Sequence, residues 1–145
     1  MILDKECQLS DSQAVTADAA TTNSYDTGAA GRDVGIGEPL CVVFNVEVAA
    51  DFTTGDETYE FQVIESAASN LSSPTVLAAA TIAASLLTVG RRVVIPIPPG
   101  SKALRYIGGY YNVGGTTPTI TCSAHVQPLN ALDIRKDYAK GYEVL

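Results

Sequence analysis

From Leu40 to Val48 every second residue is large and apolar: Leu40, Val42, Phe44, Val46 and Val48. A strand sends successive side chains to opposite faces, so this period of two specifies a half-buried β-strand and does not suit a helix. The pattern recurs along the chain. Tyr59, Phe61 and Val63 alternate with Glu60, Gln62 and Ile64, Val93 with Ile95 and Ile97 make a third run, and Ile120, Cys122, Ala124 and Val126 make a fourth. Seven or eight short strands with no amphipathic helix of ordinary length read as an all-β chain, a jelly roll or β-sandwich. Its inward face is expected to hold Val42, Phe44, Val46, Tyr59, Phe61, Val63, Val93, Ile95, Ile120 and Val126.

The connections are less sharply specified. Asp51 to Asp56, with Thr53, Thr54 and Gly55, reads as a hairpin turn, so the runs on either side are expected to pair with each other. Val76 to Ala84 is alanine-rich enough for a helix, but its length and surroundings suit a strand followed by a short turn at Ser85 to Thr88. Pro96, Pro98 and Pro99 stop a ladder because proline has no N–H to donate. Gly108 and Gly109, inside a strand pattern, imply a bulge or a close backbone approach. Residues 9–37 are rich in Ser, Asp, Thr, Ala and Gly and read as an extended arm with one edge strand near Gln13 to Asp18. The chain thus divides into an N-terminal arm and loop region (1–38), a sandwich core (39–128) and a C-terminal tail (129–145). At 145 residues all three belong to a single domain.

Charge excludes one class of partner. The net charge is −7, whereas phosphate binding needs clustered Lys and Arg, so no nucleic acid is expected. The charge is also uneven. Residues 1–65 carry thirteen acids and two bases (−11), and residues 66–145 carry three acids and seven bases (+4). Such asymmetry either steers a charged partner or draws the two halves together. The charged opening, Asp4-Lys5-Glu6, does not read as an export signal, and the apolar run Val76 to Val89 is too short to span a bilayer, so no membrane is expected.

Catalytic chemistry is sparse. Asp26-Thr27-Gly28-Ala29 matches the D-T-G-A signature of dimeric aspartic proteases, in which two aspartates share a proton. Here Ser24 and Tyr25 precede it in a polar segment where that enzyme class has an apolar strand, and a plain turn is the stronger reading. His125 is the sole histidine, which removes any His-pair metal site and leaves no triad partner near a nucleophile elbow. Cys7, Cys41 and Cys122 lack metal-ligand spacing, and the last two sit in strand-like runs where cysteine serves as a small hydrophobe. Tyr106, Tyr110 and Tyr111 offer a sugar-stacking platform as an alternative to ordinary sheet packing. No cofactor and no metal are expected, and the chain reads as not an enzyme.

Several segments together resemble a known family. Leu9-Ser10-Asp11-Ser12-Gln13-Ala14-Val15-Thr16 is followed by Ser24-Tyr25-Asp26-Thr27-Gly28. Further on come Val94-Ile95-Pro96-Ile97-Pro98-Pro99-Gly100, Leu104-Arg105-Tyr106-Ile107-Gly108 and Gly115-Thr116-Thr117-Pro118. In this order and spacing, to about residue 127, the chain resembles the jelly-roll capsid cement (decoration) proteins of short-tailed bacteriophages. The resemblance implies a non-enzymatic virion protein, made in the host cytoplasm. It would sit on the outer capsid surface across capsomere joints, bound to a major capsid protein with the HK97-like fold. It also implies a homodimer, and a structural role for the D-T-G turn.

The terminal segments are the expected contact surfaces. Ile2, Leu3 and Leu9 stand in the N-terminal arm. Leu132, Ile134, Tyr138, Tyr142 and Leu145 stand in the tail, with Arg135, Lys136 and Lys140 among them. Short segments with such side chains cannot form a core alone, and they gain by docking on the shell, the dimer partner or their own sandwich.

Overall fold

A computed structural model describes residues 4–32, 34 and 37–132. Among the described residues nine strands form: β1 (Gln8–Val15), β2 (Ala19–Ala20), β3 (Tyr25–Asp26), β4 (Leu40–Val48), β5 (Thr58–Ser66), β6 (Thr75–Ile82), β7 (Arg92–Pro96), β8 (Tyr106–Gly114) and β9 (Ile120–Pro128). The described helical pieces are three 3-10 turns, at Lys5–Cys7, Ala84–Leu86 and Leu129–Ala131. No helix among the described residues is long and apolar enough to cross a membrane.

The ladders nest. β5 pairs with β6, β4 with β7, β2 and β3 with β8, and β1 with β9, all antiparallel. The chain is therefore one long antiparallel ribbon folded at residues 67–74 and rolled upon itself, which is the construction of a jelly roll. Two further ladders, β4 with β9 and β5 with β8, close the rolled ribbon into two sheets. One runs β1-β9-β4-β7. The other runs β2-β8-β5-β6, with β3 also on β8.

The inner faces of the two sheets make the core. All ten residues expected on the inward face are buried there, joined by Leu9, Val15, Leu87, Ile97, Ile107 and Tyr111. At its centre the rings of Phe44 and Phe61 lie 5.2 Å apart, and Tyr111 meets Phe44 edge-on at 5.5 Å. Such tilted and T-shaped pairs are the favoured ring geometry. Gly109 makes room for them, because a Cβ there would stand 2.7 Å from Phe44 Cε1. On the opposite face of the same sheet a Cβ on Gly108 would fall 2.3 Å from Leu71 Cδ1. Both glycines thus serve close approach, and β8 keeps unbroken register with β5.

Three expectations need correction. The runs 40–48 and 59–64 do not form a hairpin, since β4 and β5 lie in opposite sheets. Their apolar faces need each other across the core, and residues 49–57 carry the chain over the end of the sandwich. The Tyr59 hydroxyl holds that crossing by donating to the Asp51 carbonyl at 2.6 Å and accepting from the Thr119 amide at 3.1 Å. Second, the edge strand of the front segment begins earlier than Gln13, at Gln8, and Leu9 is fully buried. Leu9 is a core residue and not a contact of an extended arm, because β1 lies alongside β9 and turns this side chain inward. Third, the outer faces are partly dry. Ile64 is covered, with Leu71 of the 67–74 connection folded over its sheet. Cys41, Val43, His125 and Gln127, cross-strand neighbours on β4 and β9, are buried as well. The stretch Val76 to Ala84 resolves as strand β6 and the start of a 3-10 turn.

Candidate interaction surface

The D-T-G segment lies at the end of the sandwich that carries the 67–74 and 97–105 connections. Tyr25 and Asp26 pair with Ile107 and Tyr106, which fixes the turn that follows. Asp26 Oδ1 accepts from the Gly28 amide at 2.8 Å, and Gly28 adopts a φ of 87° that favours glycine. Arg105 donates through Nε to Oδ1 at 2.8 Å and through Nη2 to Oδ2 at 2.9 Å, a two-pronged ion pair. Its guanidinium also stands 5.2 Å from the centre of the Tyr106 ring. Thr27 Oγ1 donates to the Arg105 carbonyl at 2.6 Å.

These partners determine the chemistry of Asp26. The Arg105 hydrogen bonds, then the Gly28 amide, hold its carboxyl down at about 2. On this chain the partners of Asp26 are a guanidinium and a backbone amide, not a second carboxylate. Depressions of about 260 and 410 Å³ flank the turn, lined by Tyr25, Asp26 and Gly28 together with Arg32 and Val34 or with Glu6 and Ser24. Asp26 borders both depressions with its carboxylate engaged by Arg105 and by the Gly28 amide.

That commitment has a pH signature. The folded pKa lies below the ordinary 3.8, so the pair stabilises the protein above about pH 4 and this contribution is lost as pH falls through 2. Asp26→Asn should fold normally and remove only this acid-sensitive increment. Denaturation curves at stepped pH should show wild type and variant converging near pH 2. Parallel curves throughout would contradict the pairing.

The other sequence candidates scatter. Tyr106 and Tyr110 occupy the outer face of their sheet, but Tyr111 points into the core with its hydroxyl 3.0 Å from Ser10 Oγ, so the three do not form one platform. Burial drives the Tyr111 hydroxyl pKa upward. His125 Nε2 lies 2.9 Å from Gln127 Oε1. Burial raises Cys41 to about 11 and Cys122 to about 12, which keeps both as thiols. No group of three or more potential metal ligands occurs among the described residues. Of the terminal contact candidates, Ile2, Leu3, Ile134, Arg135, Lys136, Tyr138, Lys140, Tyr142 and Leu145 lie outside the described residues. Leu132 is half-buried, just past a turn tied to the sandwich by the Leu129 amide on the Pro39 carbonyl at 2.7 Å.

The opposite end of the sandwich carries a surface that the sequence did not single out. Val48, Phe52, Leu86 and Val89 are 58, 54, 56 and 68% exposed there. Val48 ends β4, and the other three stand on two connections, 49–57 and 83–91, that hold each other. The Ala50 amide donates to the Leu87 carbonyl at 3.0 Å, and the Gly90 amide to the Val46 carbonyl at 2.8 Å. Leu87, fully buried, anchors the second connection in the core. Asp56 braces the neighbouring loop by accepting from the Thr116 amide and hydroxyl at 3.1 and 2.9 Å. Four large apolar side chains thus stand exposed on or beside loops that brace each other.

A protein-family model, Bbp16, matches residues 9–126. The chain belongs to the Bbp16 family. The match runs from the second residue of β1 to near the end of β9, so the Bbp16 unit is the jelly roll itself. Every segment that carries the resemblance to capsid cement proteins falls within it. No curated protein matches the chain. Among solved structures, a chain from the structure of infectious bursal disease virus Gx strain aligns over 82% of this chain at 15% identity and a TM-score of 0.27. This chain spans 29% of that one, and at such a score the likeness carries no argument.

Proposed function

We propose that this Bbp16-family protein is a capsid cement protein, a non-enzymatic virion component. It binds the outer surface of a phage shell across capsomere joints and stabilises it. Its partner in this reading is a major capsid protein with the HK97-like fold, and it acts as a homodimer made in the host cytoplasm. The observation that carries the reading is the braced apolar end formed by Val48, Phe52, Leu86 and Val89. In water these groups cost free energy, and a protein partner removes that cost. The cement-family resemblance supports the choice of partner, because its residues coincide with the Bbp16 match.

The mechanism is mass action. A ligand that binds the assembled shell and not its dissociated subunits shifts the equilibrium toward the shell. Repetition over many equivalent sites multiplies a modest gain per site. Purified particles should contain the protein at a fixed ratio to the major shell protein, and particles lacking it should open at lower temperature. Its absence from particles would overturn the proposal.

A further inference from the structure

The two sheets expose four strand edges, and three of them are blunted. β1 is broken by two register shifts, with Ser12 at a φ of 47°. The edge beyond β8 is formed by β2 and β3, each only two residues long. β7 spans five residues, carries the exposed Arg92 at one end and Pro96 at the other, and is followed by Pro98 and Pro99. Charge, proline, bulges and shortness are the known devices that stop a sheet edge from pairing with another chain.

β6 has none of these along most of its length. It runs for eight residues, Thr75–Ile82, as Thr-Val-Leu-Ala-Ala-Ala-Thr-Ile, with no charge and no proline. Its one register shift against β5 lies near its start, and Ala78 to Ile82 pair in unbroken sequence with Val63 to Tyr59. Among the described residues no strand pairs with its other edge. Alternate N–H and C=O groups of a strand point to that side and need partners. Leu77, Ala78, Ala80 and Ile82 pack on the core but are only partly buried, so this flank of the sandwich is open.

We propose that the β6 edge is the dimer interface, where β6 of a second copy pairs antiparallel and joins two five-stranded sheets into one continuous sheet. The inference rests on the dimer in the reading above and names its surface. A second copy is the occupant that fits, because a strand paired antiparallel with itself about a two-fold axis is self-complementary and needs no other sequence. Each chain carries a net charge of −7, yet the paired strip is uncharged and brings no like charges together. Ala79 and Thr81, exposed and small, leave room for the neighbouring copy.

Sedimentation of the full chain at increasing concentration is the test. The wild type should approach twice 15.1 kDa at micromolar concentration. Ala79→Lys with Thr81→Lys places like charges opposite one another at the two-fold axis and should weaken association by about 100-fold or more, with unchanged circular dichroism. Hydrogen exchange of wild-type residues 75–82 should slow as concentration rises, which needs no variant to fold. A monomeric wild type, or a lysine variant that associates as tightly as wild type, would overturn the proposal. So would exchange at 75–82 that is slow at every concentration, since another part of the same chain would then occupy the edge. Shell binding is scored separately: a dimer that never binds shells sinks the cement reading and leaves the interface standing.

Discussion

Phe44→Ala should destabilise the protein by about 3–5 kcal/mol, the usual cost of emptying a buried aromatic site. Phe44 is fully buried between the two sheets, against Phe61 and Tyr111, and reaches the space left by the missing side chain of Gly109. The surrounding groups are held by strands on both sides, so the site cannot collapse, and the cavity term adds to the lost transfer energy. For a domain of this size the melting temperature should drop by roughly 10 °C. Urea denaturation checks the figure. A loss below about 1 kcal/mol would mean that the ring sits in a loosely packed region, contrary to its packing against two other rings.

Phe52→Asp combined with Leu86→Asp should reduce binding to shells stripped of the protein by about 1,000-fold or more. Central apolar anchors of an interface cost upwards of about 2 kcal/mol each when lost, and a buried carboxylate adds a desolvation penalty. Both residues are more than half exposed in the free protein, so stability should stay within about 0.5 kcal/mol of wild type. Cosedimentation with empty expanded shells reads the first effect and thermal melting the second. Undiminished binding by a folded variant would show that this end of the jelly roll faces away from the shell.

The core was readable from the sequence because a period of two admits one structure, and all ten inward positions followed from it. The pairing of strands was not. A turn such as Asp51 to Asp56 looks alike whether it joins neighbours in one sheet or carries the chain between sheets, since the deciding contact, Tyr59 on Asp51 and Thr119, lies 60 residues apart in part. The apolar end was missed for a similar reason. Leu86 and Leu87 are adjacent and chemically identical, yet one is exposed and the other fully buried in the core, where its carbonyl also accepts from the distant Ala50 amide. Phe52, a lone aromatic in a polar turn, was the available signal. The polar flank of the D-T-G segment pointed to a turn, and the chain does bend after Asp26, but its partner Arg105, 79 residues away, was not legible.

The nested ribbon also sets a timetable. Each ladder joins a strand from β1–β5 to one from β6–β9, so no strand of the first half has its partner until the second half exists. A ribosome adding about 5–20 residues per second releases five strands and then needs several seconds more before β9 emerges. β9 lies between β1 and β4, so that sheet lacks an inner strand until Ile120–Pro128 has been made. Loop-closure entropy favours pairing outward from the 67–74 fold, because each ladder shortens the loop that the next must close. During the wait the nascent half is the half at −11. Like charge of that size opposes association between neighbouring nascent chains, and the arriving basic half lowers it to −7 as the roll closes.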